Sequence, residues 1–305
     1  MSINYTEIGH VCIRCKHYDG LEDYYSNQLG SKKGFDLQLK DDQMPPYTYP
    51  KFDGGETWLW YYKLAKGQFI EFFVEKMFPF NVDYVSDNRT ENHSYLAAGF
   101  GDINEENILS GKAFEITSYD PENNGYVVPE GQLGRIEELK NIILTCRHYE
   151  ETKKFYQEDL DLELVGTWNF TSHLIELFQG KGYHELKAKE GDEFCAVYKV
   201  SGDQNIVLLN VPFNEVTNVG DQGFLHSCLM VSDIVETAKH LEAHKVTPYM
   251  GPTMLGWVMP MPYPEDPIAA GKQGQCGSLA IYVRDPEGND VELMQYTKDS
   301  LQKIY

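Results

Sequence analysis

Three features of the sequence predict an α+β fold made by repeating one unit of strands and a helix. The stretch Leu279–Tyr296 reads as a β-hairpin with Asp285-Pro286-Glu287-Gly288-Asn289 as its turn. Proline fixes a negative φ there and glycine accepts a positive one. The segments that open near residues 7 and 139 both read as a strand followed by a helix. They are copies: Ile13-Arg14-Cys15-Lys16-His17-Tyr18 matches Leu144-Thr145-Cys146-Arg147-His148-Tyr149 at a spacing of 131 residues, which also carries Tyr25 onto Tyr156 and Leu29 onto Leu160. A long internal period fixes architecture more firmly than local propensity does.

In chain order, Ile8–Cys15 is a strand whose alternation puts Ile8, His10 and Cys12 on one face. Asp19–Leu29 has Leu21, Tyr24, Tyr25 and Leu29 at helical spacing, and Gly30 ends it. Asp36–Glu56 is a turn-rich loop. Trp58–Lys63 and Gln68–Val74 form a hairpin about Lys66-Gly67. Asn92–Ala98 is another opening strand with a short helical stretch after it, and Asp120-Pro121-Glu122-Asn123-Asn124 echoes the turn at Asp285. The copy that starts at 139 carries an extra segment, Thr167–Glu193. After it Tyr198-Lys199 repeats Tyr62-Lys63, and Gln204–Leu209 repeats the strand that holds Glu71. His226-Ser227 repeats His93-Ser94. Asp233–His244 is an amphipathic helix capped by Ser232 or Asp233, and Thr247–Cys276 is a long loop rich in Pro, Met and Gly.

Glu71 and Glu292 stand in apolar strands without a neighbouring Lys or Arg. A carboxylate in such a place is costly unless something pairs with it. The final hairpin, with its D-P-x-G-N turn and a Glu on the following strand, resembles the end of a module in the vicinal oxygen chelate superfamily, which contains glyoxalase I, bleomycin-resistance proteins and extradiol dioxygenases. The strand–helix openings resemble the start of the same module. The resemblance covers nearly the whole chain. It implies four βαβββ modules, starting near residues 7, 92, 139 and 224, that form two glyoxalase/bleomycin-resistance/dioxygenase-type domains with curved mixed sheets. The halves by sequence are 1–133, whose second module is short, and 134–305.

In that family a His on a module's first strand and a Glu on its last are metal ligands. Read through the repeat, module one offers His10 and Glu71, and module four offers His226 and Glu292. Module two offers His93 with Val127 at the carboxylate position; module three offers Asn141 and Val207. Pairing the outer modules gives a site of His10, Glu71, His226 and Glu292 for one divalent metal (Ni, Zn, Co, Fe or Mn), with the inner pair a dead site. Pairing modules one and two instead gives His10, His93 and Glu71, a set that suits non-haem Fe(II).

The remaining candidates read as ordinary. His17, His148, His240 and His244 lie at helix starts or on a helix face, and His173 and His184 fall in the irregular segment of module three. Cys12-Ile13-Arg14-Cys15 points its two thiols to opposite faces and has no second CxxC, so it is no structural zinc site. Glu176 in Leu174-Ile175-Glu176-Leu177 imitates the Glu71 strand, but the repeat favours Val207. Trp58, Trp60 and Trp257 could stack on an aromatic ligand.

The chain of 305 residues, 42% hydrophobic and 13% aromatic, can fill two domain cores. Its net charge of −21 without a basic tract argues against nucleic acid and anionic membrane as partners. No signal peptide or membrane-spanning run is read, so a cytoplasmic protein with six reduced cysteines is expected. The resemblance implies a glyoxalase-like metalloenzyme, an isomerase or lyase, that carries a small substrate with vicinal oxygens through an enediolate-type intermediate. Glu71 or Glu292 is then the general base. No Arg pair stands near the cup to receive the carboxylates of glutathione. The alternatives are an Fe(II) dioxygenase that needs His93, and a binding protein of the bleomycin-resistance type without metal. Either a monomer or a homodimer is compatible with four modules in one chain.

Overall fold

A computed structural model of the chain describes residues 2–15, 20–39, 56–76, 94–121, 124–212, 224–248, 250–253 and 276–305. The first unit is β1 (Tyr5–Cys15), α1 (Leu21–Asp23, continued by a wider π-type turn over Tyr24–Gln28), β2 (Lys32–Leu39), β3 (Glu56–Lys63) and β4 (Phe69–Lys76). The second is β5 (Tyr95–Gly99), α2 (Glu105–Leu109), β6 (Ser118–Tyr119) and β7 (Gly125–Val127). The third is β8 (Asn141–Thr145), α3 (Tyr149–Lys154, continued by a π-type turn over Phe155–Asp159), β9 (Glu163–Asn169), α4 (Ser172–Gly180), β10 (Glu193–Ser201) and β11 (Gln204–Leu209). The fourth is β12 (Phe224–Val231), α5 (Ile234–Ala243), β13 (Met250–Thr253), β14 (Leu279–Arg284) and β15 (Asp290–Gln295), and α6 (Leu301–Ile304) follows. No helix among the described residues is long and apolar enough to cross a membrane.

These strands make two mixed sheets. One has eight strands in the order β13-β14-β15-β12-β1-β4-β3-β2, and the other has seven in the order β6-β7-β5-β8-β11-β10-β9. Module one therefore shares a sheet with module four, and module two with module three. The boundary at 133/134 marks the sequence repeat; the sheets cut across it. Antiparallel pairing of β1 with β12 joins the outer modules, and pairing of β5 with β8 joins the inner ones.

Alternation along the strands sorts side chains between a shared core and a concave face. On β4, Ile70 and Phe72 enter the shared core while Phe69 and Glu71 face the concave side. On β15, Val291 and Leu293 enter the core while Glu292 and Met294 face the other way. The shared core lies between the sheets, where Leu21, Tyr25, Tyr156, Ile234 and Leu241 of the helices pack on strands of both. Strand β1 departs from simple alternation. A register shift between Ile8 and His10 leaves Gly9 in a bulge, so Ile8 joins Val11 and Ile13 in the core while His10 and Cys12 face the cup. The expectation that Ile8 shares their face is corrected accordingly.

Two duplicated sets of hydrogen bonds tie the units together. Tyr25 Oη donates to Asp120 Oδ2 at 2.5 Å, and Tyr156 Oη donates to Asp285 Oδ2 at 3.2 Å. In both turns an asparagine, Asn124 or Asn289, donates its backbone N–H and its side-chain amide to the same carboxylate. The Asp-Pro turns thus dock each even-numbered module on the helix of the module before it. Gln68 Nε2 donates to Ile8 O and Leu139 O, and its Oε1 accepts from Leu139 N-H. Gln204, its repeat partner, accepts from Ile8 N-H and donates to Glu138.

The extra segment of module three is where inner and outer halves diverge most. Helix α4, capped by Thr171, lays Leu174 and Phe178 into a cluster with Val127, Ile143, Val197 and Val207. The concave face of the inner sheet is filled with hydrocarbon where α4 sits. Glu176 is exposed on α4, not on a strand. The expected long loop Thr247–Cys276 contains β13, and residues 254–275, with Trp257, lie outside the described ones. Gly30 meets a stricter demand than helix termination: φ is +83°, and a Cβ would stand 2.4 Å from Gly134 O.

Replacing Gln68 by Leu strands Ile8 O, Leu139 O and Leu139 N-H in the buried seam. Unpaired buried groups cost on the order of 1–3 kcal/mol each. The expected loss is about 3 kcal/mol, read as a drop in Tm of roughly 6–12 °C by calorimetry. An unchanged Tm refutes this role for Gln68.

Candidate metal centre

Two rows of residues, running across neighbouring strands at matched register, carry the polar groups of the outer cup. In the first, Tyr282 of β14 stands opposite Glu292 of β15, Glu292 beside Cys228 of β12, and Cys228 opposite His10 of β1. In the second, Tyr61 of β3 stands opposite Glu71 of β4, Glu71 beside Cys12 of β1, and Cys12 opposite His226 of β12. Each row reads Tyr–Glu–Cys–His, and the β1/β12 pairing relates one to the other by an approximate twofold. Adjacent strands lie about 4.8 Å apart. His and Glu of one row are two strands apart, so sheet curvature must bring their tips together.

It does. His10 Nε2 lies 2.7 Å from Glu71 Oε2, 3.0 Å from Glu292 Oε2 and 3.1 Å from His226 Nε2. His226 Nε2 lies 3.5 Å from Glu71 Oε2 and 3.3 Å from Glu292 Oε2. The four side chains converge deep in the protein, with exposures of 1% for His10, 4% for Glu71, 5% for Glu292 and 7% for His226. Tyr61 Oη donates to Glu71 Oε1 at 2.7 Å, and Tyr282 Oη to Glu292 Oε1 at 2.6 Å. Each carboxylate therefore has one oxygen tied outward and one aimed at the imidazoles. The tyrosine rings stand edge-on to the histidines, Tyr61 to His10 and Tyr282 to His226. Sequence reasoning missed both tyrosines. Their signal was an identical spacing of ten residues from each glutamate.

Burial opposes every charge here, and the opposite charges outweigh it. Glu71 and Glu292 raise His10 to about 10 despite its desolvation. The histidines hold Glu71 at about 2 and Glu292 well below the usual carboxylate range. His226 is raised as well, against its burial, by its hydrogen bonding to the two carboxylates. Burial pushes the Cys12 thiol up to about 12, and Cys228 well above its ordinary value, so both are protonated. The two carboxylates thus favour the protonated form of the imidazoles they face.

The donor set fits a divalent metal. Ligands about 2.1 Å from a common centre stand roughly 3.0 Å apart along an octahedral edge and 3.4 Å along a tetrahedral one. The measured His–Glu and His–His separations of 2.7–3.5 Å span that range. All four ligand atoms lie within 4.8 Å of one another. Glu71 Oε2 and Glu292 Oε2 both face the imidazole nitrogens, while their other oxygens are taken by Tyr61 and Tyr282. Binding of a divalent ion would displace protons held by the imidazoles, so it is coupled to proton release.

The inner sheet has the same register without the donors. Val127 stands beside Gly99, which is opposite Asn141; Ala97 is opposite Ile143, which stands beside Val207. The position that answers to His226 is thus Ala97. His93 lies outside the described residues and precedes β5, a strand of the other sheet. Between Thr117, Val127, Gly99 and Asn141 remains a cleft of about 850 Å³, flanked by Lys112 and Arg135. His173 and His184 are exposed, and Trp60 packs on the shared core, away from the cup. Trp58's side chain is outside the described set. The described cysteines, Cys12, Cys146, Cys195, Cys228 and Cys276, are free thiols.

A sequence profile of the Glyoxalase/Bleomycin resistance protein/Dioxygenase superfamily matches residues 138–293. No curated protein matches the sequence. Among solved structures, a Bacillus subtilis protein assigned provisionally to the dioxygenases superposes with a TM-score of 0.58 at 14% identity, covering 99% of this chain and 90% of its own. A glyoxalase I variant from Zea mays superposes with a TM-score of 0.51 at 15% identity, covering 95% and 93%. Unmutated Zea mays glyoxalase I gives 0.50 at 14%, covering 95% and 92%. At such identities the likeness shows the fold.

Metal analysis by mass spectrometry tests the four residues directly. Wild type is expected to hold one divalent ion per chain; Glu71→Gln and Glu292→Gln each lose it, and His93→Ala retains it. The ion should also raise Tm in wild type and in His93→Ala but not in the Glu variants. Retention by Glu292→Gln with loss by His93→Ala would overturn the assignment.

Proposed function

The chain belongs to the Glyoxalase/Bleomycin resistance protein/Dioxygenase superfamily, and on that premise we propose that it is a metal-dependent, glyoxalase I-like isomerase or lyase acting on a small substrate with vicinal oxygens. The observation that carries the reading is the second carboxylate. A ring-cleaving dioxygenase of the two-His-one-carboxylate kind leaves the remaining positions open. Here two glutamates, equivalent in register and in their tyrosine contacts, share one centre. Two carboxylates on one site allow one to stay fixed while the other moves a proton.

A bound divalent ion, Ni, Zn, Co, Fe or Mn, would supply a Lewis acid for the substrate's oxygens. His10 and His226, as neutral imidazoles, and Glu71 and Glu292 would hold it. Glu71 or Glu292, swinging on its Tyr hydrogen bond, takes the proton from one substrate carbon and returns it to the next. Tyr61 and Tyr282 keep the free oxygen of each carboxylate bonded during that excursion. Burial of the four groups excludes bulk water from the exchanging proton. Both halves of the cup come from one chain, so a monomer completes the site.

The test is proton exchange at carbon. Metal-loaded protein in D2O is offered a panel of small 2-oxoaldehydes and α-hydroxyketones and followed by NMR. Deuterium entry or isomerisation next to the carbonyl, without oxygen uptake, is expected. Glu71→Gln and Glu292→Gln, which lose the ion, should each lack the activity. Oxygen consumption with ring opening of a catechol would replace this reading by a dioxygenase. Metal-independent ligand binding without turnover would replace it by a binding protein.

A further inference from the structure

Four strands end the two sheets among the described residues, and three of them are guarded. β6 has two residues and β13 four, too short to seat another strand. β2 has eight, but Lys32, Lys33 and Asp36 lie exposed along it, and Lys33 pairs with Asp36 at 3.4 Å. The fourth is β9, which β10 covers on one side only. It is the copy of β2 at the 131-residue spacing, and the pairing agrees: Lys33 stands opposite Tyr62 on β3, and Leu164 opposite Tyr198 on β10. At the positions of Lys32, Lys33 and Asp36 it carries Glu163, Leu164 and Thr167. Its seven residues thus hold one charge, at the first position, and no proline. Leu164 and Val165 are exposed, Val165 by 55%, and Val165 is the extra residue of a bulge with no partner on β10.

We propose that the open edge of β9 is the contact through which two copies of this chain associate, antiparallel about Gly166. Charge selects a second copy as the occupant. At a net charge of −21, two copies repel each other over most of their surface, and β9 offers a long edge with a single carboxylate. Antiparallel pairing about Gly166 sets Glu163 opposite Asn169 at both ends, Leu164 opposite Trp168, and Val165 opposite Thr167. The two glutamates then stand at opposite ends of the ladder, and the apolar and β-branched residues face one another across it. Backbone N–H and C=O groups along the edge gain partners in the same step. The contact uses the same patch on both copies, so it closes as a twofold dimer and does not propagate. It joins two seven-stranded sheets into one continuous sheet. His10, Glu71, His226 and Glu292 lie on the other sheet, so association leaves them in place.

Analytical ultracentrifugation of the full chain, from micromolar to submillimolar concentration, reads the association. Wild type should double its weight-average mass, from one chain to two. Val165→Lys should stay at one chain's mass, because the twofold sets residue 165 of one copy diagonal to residue 165 of the other, where like charges repel. Val165→Glu should do the same by itself. An equimolar mixture of Val165→Lys and Val165→Glu should recover the mass of two chains, a result that misfolded variants could not give. Leu133→Lys places a charge at an exposed apolar residue elsewhere and should associate as wild type does. Wild type at one chain's mass throughout overturns the proposal and leaves the edge to an extended segment of a different protein. A dimer that survives Val165→Lys, or a mixture of the two charged variants that stays at one chain's mass, overturns it as well.

Discussion

Antiparallel pairing of β1 with β12 is the contact on which the rest of the molecule depends. It sets His10 opposite Cys228 and Cys12 opposite His226, and so places two copies of one polar row across an approximate twofold. Neither outer module can assemble the centre alone, since each brings one imidazole and one carboxylate. Two carboxylates in apolar strands would be prohibitively costly apart. Brought together with two histidines and two tyrosine hydroxyls, they become a charge-compensated centre buried in an otherwise apolar sheet.

The inner sheet shows what the same topology does when the donors are absent. With Ala97, Val127, Asn141 and Val207 in the corresponding positions, no charge has to be balanced, and α4 fills part of the concave face with Leu174 and Phe178. Packing there replaces chemistry, and Thr117, Val127 and Asn141 are left beside an open cleft. Divergence of the two cups is thus a local matter of side chains and one insertion. The strand order, the docking of Tyr25 on Asp120 and Tyr156 on Asp285, and the glutamine seam serve both sheets alike.

The tyrosines widen what the centre can do. A carboxylate tied by one oxygen can move without becoming an orphaned buried charge, which is a requirement for a mobile base. His10 Nδ1 is the contrasting case, a buried ring nitrogen that has no partner among the described residues.

Much of this was legible in the residues. The 131-residue repeat and the duplicated Asp-Pro turns specify the modules, because alternation and turn chemistry are local and survive duplication. Apolar strands around Glu71 and Glu292 announce that each needs a counter-charge, since burial of a carboxylate is penalised whatever the fold. Matching by short identities misled at His93-Ser94, where a shared dipeptide pointed to a ligand position that hydrogen-bond register gives to Ala97. The bulge at Gly9, which turns Ile8 away from His10, is likewise a property of strand pairing and not of either strand's sequence. Which modules share a sheet was open on the sequence, because βαβββ units pair through strand edges whose residues look alike in either arrangement. Only the tertiary structure chose the outer pair and brought side chains two strand spacings apart into contacts of 3.0–3.5 Å. The sequence determined which groups needed partners; the pairing of β1 with β12 decided which partners they met.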